Sequence, residues 1–297
     1  SSRRRHTRFR NVTGVQTCAL PILIRVKNDP SKSVAYGDLI GDGRFELKIN
    51  DKIALKAPAD YKVIGKSIAR VDIPDKVTGK FEYVQDVRVP GMLHARVIRP
   101  DDIGANLLSF DDSDARKVRG FVQTVRKGNF LAVLAADEWA AIKASRAVTT
   151  NWGAAQLLPE QSTVFQTWRQ RHVAKEEATQ KAGDINAGLA ASAQRIKASY
   201  EFAVQTHASL GPSAAVADFK DGKLLVWSAS QATHSMMDEL AGITGVPRAS
   251  IRLVYCEGSG CYGRNGHEDA TADAALLATL VGKPVRVQWM QIGRAHV

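Results

Sequence analysis

The sequence predicts an α+β fold, and three observations carry that reading. Short β-rich runs alternate with a few helical stretches between residues 61 and 152, the interleaving expected of helices layered on a sheet. Asp221-Gly222 sits between two apolar runs, 214–219 and 223–228, which is a strong two-residue hairpin signal. A strand-like run at 251–255 passes through a loop containing Gly258, Gly260, Gly263 and Gly266 into an Ala- and Leu-rich helical run at 268–281.

Taken in order, residues 23–60 read as a connector, interrupted by Asp38, Gly41, Asp42 and Gly43 and closed by Pro58. Val63-Ile64-Gly65 then leads through Arg70-Val71-Asp72-Ile73-Pro74 to a turn at Thr78-Gly79. Strands are expected at 81–84 and 92–98, the latter ended by Pro100, and at 121–125 and 131–135 around the turn Lys127-Gly128-Asn129. Asp137 is a good N-cap for a helix over 138–147 that would bury Trp139, Ile142 and Ala147, and 148–152 returns as a strand. Residues 160–181 read as a polar helix with Val164, Phe165, Trp168 and Val173 on its apolar side. Gly183 and Gly188 mark 182–192 as a linker. These runs give one α/β domain over 61–187 and a second over 195–290. The second opens with an alternating strand at 196–204 and the Asp-Gly hairpin. Ser230 then caps a helix over 231–243 that stops at Gly245 and Pro247 and places Met236 and Met237 in the core. The strand, glycine loop and helix follow, the helix ending at Gly282, and Pro284 precedes a last strand at 285–289.

The two ends read as foreign to this pattern. Thr17-Cys18-Ala19-Leu20-Pro21-Ile22 can be encoded by ACG TGT GCT CTT CCG ATC, whose reverse complement, shifted by one base, encodes Ile292-Gly293-Arg294-Ala295-His296-Val297. An inverted DNA repeat relating two protein ends has no folding explanation. Residues 1–22 and 291–297 therefore resemble translated sequencing adapter, and the genuine chain is expected to be truncated on both sides. Those ends hold six of the 41 basic residues and none of the 30 acidic ones, so the formal charge of +11 falls to an ordinary excess of five. A nucleic-acid arm built on Arg3, Arg4, Arg5, Arg8 and Arg10 falls with them, and no nucleic-acid partner is expected. No apolar run approaches the ~20 residues needed to span a bilayer. Cys256 and Cys261 fit neither a redox pair nor a zinc knuckle and read as buried or loop thiols.

Glycines between a strand and a helix let the backbone reach positive φ and bring bare N–H groups close to a guest. The helix start adds its positive dipole end, so an anionic or phosphate-bearing cofactor suits the place. No Lys-Ser or Lys-Thr follows the loop as in a P-loop, and the ribose-binding acid of a dinucleotide fold is not evident. Arg264, His267, Glu268 and Asp269 read as a helix start with acidic first-turn residues more than as an acid–base set. His207 and His234 read as structural.

Two segments together resemble the molybdenum hydroxylases, the molybdopterin-binding large subunits of xanthine dehydrogenase and aldehyde oxidase type. Trp227-Ser228-Ala229-Ser230-Gln231, with a helix ending in Gly245-Val246-Pro247, looks like the family's strand–glutamine–helix motif. Gly260-Cys261-Tyr262-Gly263 looks like its Gly-Gly-Phe-Gly loop. Gly65-Lys66-Ser67, Arg70-Val71-Asp72, Lys76-Val77-Thr78-Gly79 and Pro90-Gly91-Met92-Leu93-His94 resemble the opening of its α/β hammerhead domain. The resemblance is greatest to the isoquinoline 1-oxidoreductase and nicotinate dehydrogenase branch. It implies a hammerhead-like domain followed by the start of a molybdopterin-binding domain, with Gln231, Gly260, Cys261, Tyr262 and Gly263 at the cofactor and Gly211 at the substrate pocket. Molybdenum would be held by the pterin dithiolene, which explains why no protein cluster of metal ligands is needed. The cytosine dinucleotide form of the pterin is an option.

The resemblance further implies hydroxylation of an N-heterocycle or aldehyde with water as the oxygen source. Electrons would pass to a small [2Fe–2S] subunit, with a cytochrome c as a candidate acceptor, and the location would be periplasmic, with the cytoplasm as the alternative. Cys261 replaces a family glycine, and Gly211 stands where many relatives carry a glutamate. No catalytic residue is assigned within the chain, because the family's general-base glutamate lies downstream of its end, so the isolated fragment is expected to be inactive. The rival reading is a non-catalytic cofactor-binding or assembly subunit of such a complex.

Overall fold

A computed structural model describes residues 23–26, 28–35, 38, 52–100, 103–155, 158–203, 209–261 and 269–289. They fall into two compact units, one ending at Glu82 and the other beginning at Tyr83.

The first unit holds an antiparallel pair, β1 (Leu23–Val26) and β2 (Asp29–Ala35), and a short helix α1 (Ile73–Val77). Lys76 pairs with Asp72 at 2.7 Å and lies over the Phe81 ring at 4.7 Å, while the Thr78 hydroxyl donates to the Pro74 carbonyl at 2.7 Å.

The second unit is built on a mixed seven-stranded sheet. Its strands are β3 (Leu93–Ile98), β5 (Phe121–Lys127), β6 (Phe130–Ala135), β8 (Ala214–Lys220), β9 (Lys223–Ser228), β10 (Ile251–Tyr255) and β11 (Val285–Gln288), in the order β10-β9-β8-β11-β3-β6-β5. The pairs β10/β9 and β11/β3 are parallel and the others antiparallel. Strands from both sides of residues 188–194 thus share one sheet. Valine- and alanine-rich runs suit this place, since the central strands are covered on both faces.

One face is covered by α5 (Thr233–Thr244) and α6 (Asp269–Val281). Met236 and Leu240 of α5 and Ala270, Ala274, Ala275, Leu277 and Ala278 of α6 share one core with Ala215, Ala217, Val226, Val285 and Val287. The other face is covered by α2 (Glu138–Ala147) and by a 3-10 turn at Val84–Asp86, which packs Val84 on Ala214, Val216 and Cys256. Asp137 caps α2 as expected, accepting the Ala140 N–H at 2.7 Å, worth about 1 kcal/mol. On this second face Arg96 and Arg286 are buried beside one carboxylate, Glu138, at 3.0 and 3.8 Å. His94 lies across the β3/β11 ladder from Arg286. Burial, and then the Arg286 charge, hold its imidazole below the usual histidine range.

Several expectations are corrected. Residues 81–84 form no strand; Val84 opens the 3-10 turn, and Asp86 accepts the Tyr83 N–H at 3.0 Å. Helix α2 buries Ala140, Ala141 and Ala144, while Trp139 is exposed, because the small residues permit close contact with β3 and β6. A strand β4 (Leu107–Asp111), which no sequence signal marked, pairs with β7 (Thr149–Trp152). Only α3 (Val164–Gln170) of the expected 160–181 helix forms beyond a preceding 3-10 turn, and the expected linker contains α4 (Ile185–Ala191), capped by Asp184. Residues 196–203 are not a strand, and Ile196 and Phe202 are 87% and 80% exposed. Alternation makes a strand only where a neighbouring ladder accepts it, and none of the sheets of the described residues extends there.

Candidate functional site

The site grows from the parallel pairing of β9 and β10. Tyr255 lies opposite Ser228, so both strands end together and their outgoing loops leave the same sheet edge. Parallel strands cannot be joined by a tight turn, and the chain crosses through α5 between them and through α6 afterwards. This leaves two loops outside the carboxyl ends of adjacent strands, the place where α/β sheets present ligand sites.

Three segments meet there. The loop after β10 runs through Cys256, Glu257, Gly258, Ser259, Gly260 and Cys261. Its Cys256 N–H donates to the Ser228 carbonyl at 2.8 Å, and its Glu257 carbonyl accepts the Val84 N–H at 2.8 Å. The Ser259 hydroxyl donates to the Gly211 carbonyl at 2.7 Å, and the Leu210 N–H donates to the Ser259 carbonyl at 3.2 Å. The structure therefore brings Gly211 against the glycine loop.

The glycines serve distinct needs. A Cβ at Gly258 would lie 2.8 Å from the Ala229 Cβ, so this residue permits the close approach of the two loops. A Cβ at Gly211 would lie 2.9 Å from the Ser259 Cβ. The space a larger side chain would need is occupied by Ser259, and a carboxylate could not be added at Gly211 without moving the loop. Gly260 has φ +112, in the half of conformational space that favours glycine.

Gln231 follows the end of β9 and is exposed, with its carboxamide available to a guest. The turn that carries it is fixed by buried hydroxyls. Ser228 Oγ lies 2.6 Å from Thr271 Oγ1 and accepts the Ser230 N–H at 3.0 Å, and Ser230 Oγ accepts the Ala232 N–H at 3.1 Å. Helix α5 starts at Thr233, two residues later than expected, and Gly245 in the left-handed region ends it. Cys256 is buried and Cys261 is half-buried, and neither is joined in a disulfide. His234 is exposed on α5. Tyr262, Gly263, Arg264, His267, Glu268 and His207 lie outside the described residues.

Among the described residues no group of histidine, cysteine and carboxylate side chains could hold a metal ion. The donors gathered here are neutral: main-chain amides, hydroxyls and one carboxamide. Sequence reasoning includes Ser228 in the strand–glutamine–helix motif without a role for its hydroxyl, and misses Ser259 and Thr271 as parts of the arrangement. A serine ending a strand and a threonine in an alanine-rich helix carry no signal until the fold places them together.

A site of uncharged donors on a glycine loop at a parallel strand edge suits a polar, phosphate-bearing cofactor. Residues 165–291 match the family described as molybdopterin cofactor-binding domain. Residues 165–291 thus carry the features of a molybdopterin cofactor-binding domain, and the chain resembles the molybdopterin-binding subunits of the xanthine dehydrogenase family. It is 39% identical over 265 residues to a subunit of the nicotinate dehydrogenase of Pseudomonas putida, covering 86% of this chain and 22% of that protein. It is 30% identical over 251 residues to the beta subunit of isoquinoline 1-oxidoreductase of Brevundimonas diminuta, covering 80% of this chain and 32% of that one. Among solved structures, aldehyde oxidoreductase from Desulfovibrio gigas superposes with a TM-score of 0.61 at 19% identity, over 74% of this chain and 29% of that chain, a likeness of fold. The chain thus spans about a fifth to a third of the length of these relatives. No helix among the described residues is long and apolar enough to cross a membrane.

Proposed function

We propose that this chain is part of the large subunit of a molybdenum hydroxylase acting on an N-heterocycle or an aldehyde. The observation that carries the reading is the convergence, at one parallel strand edge, of the Gln231 turn with the Gly258–Gly260 loop, at a packing distance only glycine allows. The residues fit a molybdopterin. Main-chain amides of Gly260 and Cys261 would face its pterin and phosphate, the resemblance assigns Tyr262 and Gly263 to the same cofactor, and the Gln231 carboxamide would donate to an oxygen on the metal side. When bound, the cofactor supplies the two-electron redox chemistry and the activated oxygen. The chain's own residues contribute position: the Gly258–Ala229 contact sets the spacing of the loops, and Ser259 closes the space beside Gly211.

Residues 195–290 would form the first part of the cofactor domain, behind a hammerhead-like domain at 61–187. The cytosine dinucleotide form of the pterin, a small [2Fe–2S] partner subunit, a cytochrome c acceptor and a periplasmic location belong to this proposal, supported by the likeness to the nicotinate and isoquinoline enzymes. Purines are poor candidates as substrates, since no side chain at Gly211 can anchor them and Ser259 fills that space.

The test is made on the complete large subunit isolated with its partner. It should contain molybdenum near one atom per subunit and reduce an acceptor dye with nicotinate, isoquinoline or an aldehyde, and Gln231→Ala should lower turnover by roughly a hundredfold, in the range for losing one positioned donor. A mature complex lacking molybdenum would favour the second reading, a non-catalytic assembly subunit, which the closed space at Gly211 supports.

A further inference from the structure

We infer that Ser228 is a positioning residue of the site, tying the Gln231 turn to the entry of the glycine loop and to the helix that follows it. This rests on the reading of those elements as the pterin cradle. Ser228 ends β9 and is fully buried. Its carbonyl accepts the Cys256 N–H at 2.8 Å, which holds the chain as it enters the glycine loop. Its hydroxyl meets the Thr271 hydroxyl at 2.6 Å in the first turn of α6, which holds the chain as it leaves that loop. The same hydroxyl accepts the Ser230 N–H at 3.0 Å, which bends the backbone toward Gln231.

A serine hydroxyl has one proton and two lone pairs, enough for these two partners. Ser228 and Thr271 have no exposed surface, so water does not replace a lost bond and the unpaired group bears its full desolvation cost. One hydroxyl thus serves the start of α6 and the Gln231 turn together, beside the contacts that Glu257 and Ser259 make elsewhere. The backbone bond to Cys256 survives any side-chain change, so replacing the hydroxyl should free the exit of the loop and the Gln231 turn while leaving the entry held.

The experiment uses the complete large subunit, prepared free of cofactor, with Ser228→Ala, Thr271→Val, the double variant and the conservative Thr271→Ser. Amide hydrogen exchange is followed in residues 229–232 and 269–273, with 121–135 as an internal reference. Binding of metal-free molybdopterin is followed by its fluorescence. Ser228→Ala and Thr271→Val should each speed exchange about tenfold in both site segments and leave the reference unchanged. The double variant should be no worse than either single one, and Thr271→Ser should behave as the parent. Molybdopterin affinity should fall about tenfold in the same variants. Exchange that is unchanged, or that rises equally in 121–135, overturns the role of Ser228, as does affinity within twofold of the parent. If the parent chain binds no molybdopterin, the pterin reading fails, and the exchange pattern still decides what Ser228 does.

Discussion

The two ends of the large sheet contrast. At the β5–β6 end, antiparallel strands are joined by a tight turn in which Gly128 adopts φ +60, and the backbone passes directly from one ladder into the next. At the β9–β10 end, parallel strands force a crossover through α5, and two loops are left standing past the strand ends. Both ends are built on strands that carry valine and leucine. Strand direction, not composition, decides which end can hold a ligand.

The first of the two largest effects should come from the link between the end of β3 and helix α6. Arg99, just past β3, grips buried Asp273 of α6 with both carboxylate oxygens at 2.7 and 2.8 Å and lies over Trp289. Arg99→Met removes the cation facing a buried carboxylate and should lower unfolding stability by about 2 kcal/mol, less than for a fully buried pair because the Arg99 side chain is half-exposed. Denaturation in urea measures it, and a loss under 1 kcal/mol would mean that the fold does not depend on this bridge. Next, Gly258→Val inserts atoms where a single Cβ already lies 2.8 Å from Ala229. A cost of about 2 kcal/mol is expected from overpacking, together with loosened exchange in 256–261. Gly128→Ala at the other end meets no neighbouring atom and faces only its left-handed backbone, so about 1 kcal/mol is expected and no change at the glycine loop. Equal losses at Gly258 and Gly128 would erase the contrast between packed loop and open turn.

The smallest effect is a pH dependence. His94 is held neutral by burial and by Arg286, with Arg88 and Arg96 adding to the effect and Glu138 opposing it. Its folded pKa lies below its unfolded one, so its contribution is fully present above about pH 6.5, the ordinary histidine value, and fades as pH falls and the unfolded chain takes up the proton first. Melting temperatures measured between pH 7.5 and 5.5 should drop more for the parent than for His94→Gln. Parallel curves would assign the acid sensitivity elsewhere.

Much of this fold was legible in the sequence. The Asp221-Gly222 hairpin, with φ of 52 and 71 at the two residues, followed from turn chemistry, and α2 followed from Asp137. The α5 stop at Gly245 and the strand at 251–255 followed from punctuation and apolar runs. What failed depends on long-range pairing. Residues 196–203 alternate like a strand but find no ladder, and β4 exists because β7 is there to receive it. Of the site, the glycine loop and Gln231 could be read as a resemblance, and the contact of Gly211 with Ser259 could not, because it joins segments far apart in the chain. The hydroxyls of Ser228 and Thr271 were silent for the same reason.

Helix α6 turns an almost unbroken row of methyl groups toward the sheet at Ala270, Ala274, Ala275 and Ala278. Side chains that short set the height at which the helix floats over the strands, and with it the level at which the preceding segment is handed down. Bulkier substitutes in that row would act as shims under a beam, raising its near end and widening the gap above the strand tips without altering any group that would touch a guest.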